Sequence, residues 1–301
     1  MSSFPPLLQP VDKRPPSQFW YPQREINYLR DAFQLQTWIA VGAILQAILV
    51  AVLPLNWAVV PAAVYLATRI IDTLLIWGQL RSNPHMDGVV TRKTSAQFPG
   101  STVPAQQPLV VIQLAARCNH ALGNLHPHMD AIGKFFERMI AELEADVIDK
   151  KDEYDYLGAK TFLANERTTA NEIMVLVYFR SYEGMHKFSH ATGGAHRDAW
   201  IWWNNVVVGK KSTNGHLFGI MHEVYEMPAQ NWESIYVNYH PTSFGAASFR
   251  KDVVDTVTGK KTTQWVSPLV DASRGRLSTS RGRLAATQGE DNDKYGNSPY
   301  A

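Results

Sequence analysis

Apolar positions change their period along this chain, and each change marks a new kind of element. From Gln34 to Thr68 no charged residue occurs. The stretch LQTWIAVGAILQAILVAVLP has about the ~20 residues that a helix needs to cross a bilayer. A second apolar piece, WAVVPAAVYLATRIIDTLLIWGQL from Trp57 to Leu80, is interrupted only by Arg69 and Asp72. Pro54 to Asn56 supply a tight turn between the two. Farther on, LVVIQLAAR at 109–117 is an unbroken apolar run of strand length. PHMDAIGKFFERMIAELEAD at 127–146 sets Met129, Ile132, Phe136, Met139, Ile140 and Leu143 at helical spacing with charges between them. YLGAKTFLAN and NEIMVLVYFRS read as strands across the polar turn ERTTA. YEGMHKFSHATGGAHRDAWIWWNNVVV is helical with a break at Gly193–Gly194, and HLFGIMHEVYEM and SIYVNYH return to strands. The order βαββαβ with a further strand is an α+β, ferredoxin-like plan. Its helices lie on one face of the sheet, so the other face is expected to be bare and to pair with a second copy as a dimeric α/β barrel.

The two apolar runs predict a transmembrane helical hairpin over 34–80. Pairing of Arg69 with Asp72 at i, i+3 lowers the cost of charge in a membrane. A competing reading spans with the first run only and lays the second at the interface or on the protein. Runs of this length without charge are rare in soluble cores. A signal peptide fits poorly, because more than thirty polar and proline-rich residues come first and no small-residue cleavage site is evident. Trp38, Trp57, Tyr65 and Trp77 suit interfacial anchoring. Lys13, Arg14, Arg24 and Arg30 precede the first run, and Arg81, Arg92 and Lys93 follow the second, with no basic residue in the turn. The positive-inside tendency therefore places residues 1–33 and everything after Leu80 in the cytosol, with the endoplasmic reticulum as the expected membrane. Residues 81–108, rich in Pro, Ser, Thr and Gln, read as a linker. Residues 109–250 read as the folded domain and 251–301 as a C-terminal extension, disordered from about 271, where Ser-Arg-Gly-Arg-Leu occurs at 273–277 and again at 280–284.

Composition narrows the function classes. The 301 residues are 45% hydrophobic and 19% charged, enough for a sizeable core. A net charge of +2 without a basic stripe gives no support for nucleic acid. Cys118 is the sole cysteine, which rules out an internal disulfide and any multi-Cys zinc site, and its place after an apolar run suits a buried structural thiol. There is no GxGxxG, P-loop or GxSxG to suggest a nucleotide cofactor or a serine hydrolase.

The succession VYFRSYEGMHKFSHATGGAHRDAWIWWNN, GIMHEVYEMPAQNWESIYVNY and HPTSFGAA resembles a family of dimeric α/β-barrel proteins, largely uncharacterised and antibiotic-biosynthesis-monooxygenase-like. The likeness spans about residues 105–250. With its apolar N-terminal segment the chain is most similar to the fungal secondary-metabolite members, of the type found in the fumagillin pathway. The resemblance implies a membrane-anchored, homodimeric monooxygenase acting on an apolar, conjugated polyketide- or terpenoid-type intermediate. Molecular oxygen is then the co-substrate, with no metal or flavin, and the substrate anion or enol supplies the electrons. Catalytic residues are not fixed across this superfamily. Aldoxime dehydratases also resemble it and bind haem through a histidine, so a haem-dependent lyase or dehydratase is the alternative. A non-catalytic binding protein for an apolar intermediate is the third reading.

Such chemistry needs a water-excluding apolar pocket, a base and a donor for a developing oxyanion. A helix restarting after Gly194 sets His196, Trp200 and Trp203 at i, i+4 and i+7, with Asn204 next in sequence. The expected roles are His196 as base or substrate orienter, Trp200 and Trp203 as pocket wall and Asn204 as polar donor. Plain core packing is the competing role for the tryptophans. On the strand at 216–227, His222 and Glu223 alternate faces, so only one points inward. This makes His222 the second base candidate, with Tyr225 as a substrate contact. His120, His126 and His128 lie close in sequence and His186 and His190 at i, i+4, but no HExxH occurs and no carboxylate completes a triad. Pro127 between two histidines suggests a loop. No metal site is expected.

Overall fold

Unbroken apolar sequence makes long helices at one end of this chain, and alternating sequence makes sheets in the rest. A computed structural model describes residues 2–20, 24–164, 169–209, 212–254 and 259–284. The short amphipathic helix α1 (Arg24–Asp31) leads into α2 (Leu35–Val52), the one-turn α3 (Leu55–Ala58) and α4 (Val60–Trp77). The segments Leu35–Val52 and Leu55–Trp77 are each long and apolar enough to cross a membrane. Neither α2 nor α4 buries a single residue. Pro54 ends the first, and a proline in the first turn of α4 suits its N-terminus. Asp72 is paired with Arg81, and Arg69 Nη1 lies 3.8 Å from its other oxygen.

The body is α+β. Its strands are β1 (Val90–Ala96), β2 (Leu109–Cys118), β3 (Tyr156–Leu163), β4 (Glu172–Phe179), β5 (Phe218–Met227), β6 (Tyr236–Tyr239), β7 (Phe249–Val254), β8 (Lys261–Val266) and β9 (Leu269–Asp271). Helix α5 (Pro127–Ile148) joins β2 to β3, while α6 (Tyr182–His190) and α7 (Ala195–Trp202) join β4 to β5. A four-stranded antiparallel sheet has the order β3-β4-β2-β5. Strand alternation splits its side chains between two cores. Val110, Ile112 and Leu114 of β2 with Val175, Val177 and Phe179 of β4 meet the helices, and Leu109, Val111, Leu176 and Tyr178 face away.

The apolar stripe of α5 is buried as its period predicts. Its start differs from expectation. Pro127 occupies the first turn and the His126 imidazole caps it, accepting from the His128 N–H at 3.1 Å, so the proline opens the helix instead of marking a loop. At the other end the buried Asp146 carboxylate accepts from the Glu153 and Tyr154 N–H groups, both at 3.2 Å, and turns the chain into β3.

Three further expectations are corrected. The supposed linker carries β1, which sits between β6 and β9 in a second sheet, with Ala96 and Phe98 buried. The sequence VTRKTSA hides this strand, because Thr94 and Ser95 are buried by pairing and packing and not by apolar character. The outer face of the four-stranded sheet is only partly bare: Phe98, Trp232, Phe244 and Phe249 pack against its Leu109, Leu157 and Tyr178 as a second core. Phe98 lies 5.2 Å from Phe244 and 5.4 Å from Phe249. The family-like stretch HPTSFGAA serves this core, since a Cβ on Gly245 would stand 2.8 Å from the Tyr236 ring. Finally, the C-terminal extension is ordered through its second Ser-Arg-Gly-Arg-Leu repeat. Arg283 is 5% exposed, with Nε 2.9 Å from Glu233 Oε2 and Nη1 donating to Leu277 O at 3.0 Å, and the one-turn α8 (Ser280–Arg283) holds it there. The remainder of the expected disordered tail, from 285, and most of the ERTTA turn lie outside the described residues. The N-terminal segment also belongs to the body: Val11 exchanges backbone hydrogen bonds with Trp265 at 3.0 and 2.8 Å, and Gln18 Oε1 accepts from Thr242 Oγ1 and Ser243 N.

Candidate active site

The space between the four-stranded sheet and α5–α7 holds an apolar cavity of about 300 Å³. Ile112, Leu114, Val175 and Val177 form its floor, and Phe136, Met139 and Phe188 stand among its walls. Its polar lining is four histidines, His186, His190, His196 and His222, with Tyr182 and Ser189. A smaller pocket of about 80 Å³ adjoins it, shares Leu114, Phe136, Met139 and His196, and is closed by Trp200, Trp202, Trp203 and Ile220. His196 therefore lines both spaces.

Local sequence explains how these histidines come together. Ser181 caps α6, its hydroxyl accepting from the Gly184 N–H at 3.0 Å. After α6 the chain reverses through Gly193 at φ +76°, a conformation that glycine adopts without a Cβ penalty. Helix α7 then starts at Ala195, whose N–H donates to Glu142 Oε2 of α5 at 2.8 Å. This carboxylate at a helix N-terminus fixes the next residue, His196. His196 Nδ1 lies 2.9 Å from the Ser189 carbonyl. A carbonyl only accepts, so Nδ1 carries the proton and Nε2 is the basic nitrogen of the neutral ring. Burial pushes the His196 pKa below the usual histidine value and the Ser189 hydrogen bond partly opposes this; charge on His190 or His222 lowers it further. His186 and His190 stack with centroids 4.0 Å apart. His190 Nδ1 donates to the His186 carbonyl at 3.0 Å.

The structure brings His196 and His222 to the same cavity. His222 pairs in register with Leu114 and shares the helix-facing side of β5 with Val224. Strand alternation sends Tyr225 to the opposite face, where its hydroxyl bonds the Glu223 carboxylate, so Tyr225 is not a cavity contact. Asn204 is also displaced. It lies exposed in a π-helical turn, Trp203–Val207, with its amide donating to Trp200 O at 2.9 Å and away from both cavities. Trp200 is 55% exposed and touches only the smaller pocket, whereas Trp203 packs against the core. Trp202, which helical spacing from His196 missed, also packs against the core, with its ring 5.4 Å from Phe135 and 5.8 Å from His128. The i, i+4 pair His186 and His190 was visible in sequence as a possible metal pair; the cavity they line was not.

Elsewhere, the His126 ring lies 4.8 Å from His120 and 5.0 Å from His128. Among the described residues, no group of histidines, cysteine or carboxylates is arranged to hold a metal ion. The Cys118 thiol is fully buried and its pKa is raised by burial, as suits a structural role.

Comparison with known proteins adds the following. The family described as "Monooxygenase af470-like" matches residues 109–244. The curated protein "Monooxygenase af470" of Aspergillus fumigatus is 31% identical over 295 residues, covering 94% of this chain and 98% of that protein. Among solved structures, an aldoxime dehydratase in complex with butyraldoxime gives a TM-score of 0.34 at 11% identity, over 51% of this chain and 42% of that one. A possible oxidoreductase of unknown function from Bacteroides thetaiotaomicron gives 0.23 at 11% identity, over 40% and 99%. At these scores neither structure bears on the chemistry.

Proposed function

The chain belongs to the monooxygenase af470-like family, and from that premise we propose a membrane-anchored monooxygenase that oxidises an apolar, conjugated polyketide- or terpenoid-type substrate with molecular oxygen. The observation that carries this reading is the apolar cavity lined by His196 and His222, which joins a water-poor site to an uncharged imidazole base. A conjugated substrate with an acidic C–H or O–H passes its proton to His196 Nε2. The anion carbon, which still bears a hydrogen, adds dioxygen and takes the proton back as a hydroperoxide. Loss of that hydrogen with O–O cleavage leaves a carbonyl and releases the second oxygen as water, so the substrate carbon supplies all four electrons. The apolar walls keep solvent from the reactive anion and raise the effect of any nearby dipole. His222 is placed to hold the substrate or share the proton.

Two apolar helices that bury none of their residues support membrane anchoring, because so much apolar surface is unstable in water. The basic flanks favour a cytosolic body at the endoplasmic reticulum. The strand order β3-β4-β2-β5 supports the ferredoxin-like plan, and the uncovered part of its outer face around Met221 and Tyr225 supports a homodimer.

Haem, the alternative, could be held by a histidine at the cavity, but among the described residues no arginine or lysine lines it to receive the propionates. Purified chain should show no Soret band and should consume oxygen with a conjugated polyketide- or terpenoid-type substrate. A Soret band, or no oxygen uptake with any such compound, overturns the proposal.

A further inference from the structure

A second and larger cavity, about 560 Å³, lies on the other flank of α5, between it, α1 and the β3 edge of the sheet. Its volume falls within the range of sites that take small organic ligands. Three observations give it a purpose. First, Gly133 stands in the middle of α5 at the cavity wall, and a Cβ there would meet no atom within 4 Å. A mid-helix glycine costs about 1 kcal/mol relative to alanine, so the helix gives up stability and leaves the space open. Second, Phe136, one turn farther along the same face, lines this cavity and both spaces around His196. Third, the cavity is covered by Tyr28 and Leu29 of α1, which is tied to the first apolar helix: Trp38 Nε1 donates to Arg30 O at 2.9 Å, and Phe33 and Trp38 lie 5.6 Å apart.

We infer that the α1–α5 cavity is a binding site for an extended apolar chain and the port by which the substrate enters from the bilayer, with Phe136 as the gate to the His196 cavity. This inference rests on the proposed membrane anchoring and on the His196 cavity as the site of chemistry. An apolar ligand partitioned into lipid reaches the cavity beside α1 without crossing water. The Phe136 ring then has to turn before the chain can reach the histidines, which keeps the inner space dry between turnovers.

The test uses the full chain in phosphatidylcholine vesicles, with a free fatty acid bearing a diazirine on its chain as photoreactive probe and cross-links mapped by mass spectrometry. Wild-type protein should be labelled on both the α1–α5 wall and the His196 cavity. Gly133→Leu fills open space and favours the helix; it should fold normally and lose both labels. Phe136→Trp should keep the outer label and lose the inner one. Inner labelling that persists in Gly133→Leu would overturn the port. A phosphatidylcholine with a diazirine chain separates the sources, and outer labelling by it alone would overturn the port in favour of a structural lipid site. Outer labelling by the free acid with no inner labelling in wild type would also overturn the port and the Phe136 gate, whereas the His196 reading fails separately, if His196→Ala keeps full oxygen uptake.

Discussion

On the proposed reading, a single imidazole with a fixed tautomer decides the chemistry at the residue scale. Because Ser189 holds Nδ1 and burial disfavours the cation, His196 stays a base at neutral pH. His196→Ala should lower turnover by about 10²-fold or more while the circular dichroism spectrum is unchanged. In the wild type, kcat/KM should rise with pH through a midpoint below the ordinary histidine value, and this limb should vanish in the variant. The same shift acts on stability: a lowered folded pKa means that the unfolded chain protonates first, so stability is complete above the unfolded value and falls as pH drops through the folded one. Full activity of His196→Ala together with loss in His222→Ala would move the base to β5. Among the tryptophans, Trp202→Ala should cost about 3 kcal/mol in denaturant melts, because its ring packs inside, and the exposed Trp200→Ala much less. His196 and Trp203 were legible from helical spacing alone. Trp202 was not, because at i+6 from His196 it lies off the stripe that this spacing picks out and is placed by Phe135 and His128 of α5, and Glu142 was not, because its partner Ala195 is 53 residues away.

Strongly periodic elements were the readable ones. The stripe of α5 is buried as its period predicts, and β2 and β4 were readable as unbroken apolar runs, apolar on both faces because each face meets a core. By contrast, β1 is polar in sequence and is specified by neighbours on both sides, one of them from the far end of the chain. The paired apolar segments carry an orientation that can be measured. Protease added to sealed microsomes should digest residues beyond 81, because the basic flanks favour the cytosolic side; full protection of the body would reverse the topology.

For the molecule as a whole, the boundaries of the body are wider than its family-like centre. A chain cut to residues 109–250 loses β1, β8, β9 and the N-terminal segment, which leaves the second core open to water. Such a fragment should bind a hydrophobic dye strongly and melt without a cooperative transition, whereas the full chain in detergent should melt cooperatively. That full chain is also expected to scatter light as a dimer, and a monodisperse monomer at micromolar concentration would remove the β5 face as its interface. The arrangement of the first ninety-odd residues has a mechanical side as well. The chain lies on the body through Val11 and Gln18, leaves it for the apolar helices, and returns as β1 in the middle of a sheet. A domain on one tether swivels freely above a bilayer; one moored at two points keeps its bearing. If the apolar helices lie in a bilayer, severing either strand of the mooring leaves the other holding the body there but frees it to swivel, so one cut loosens its bearing and two release it.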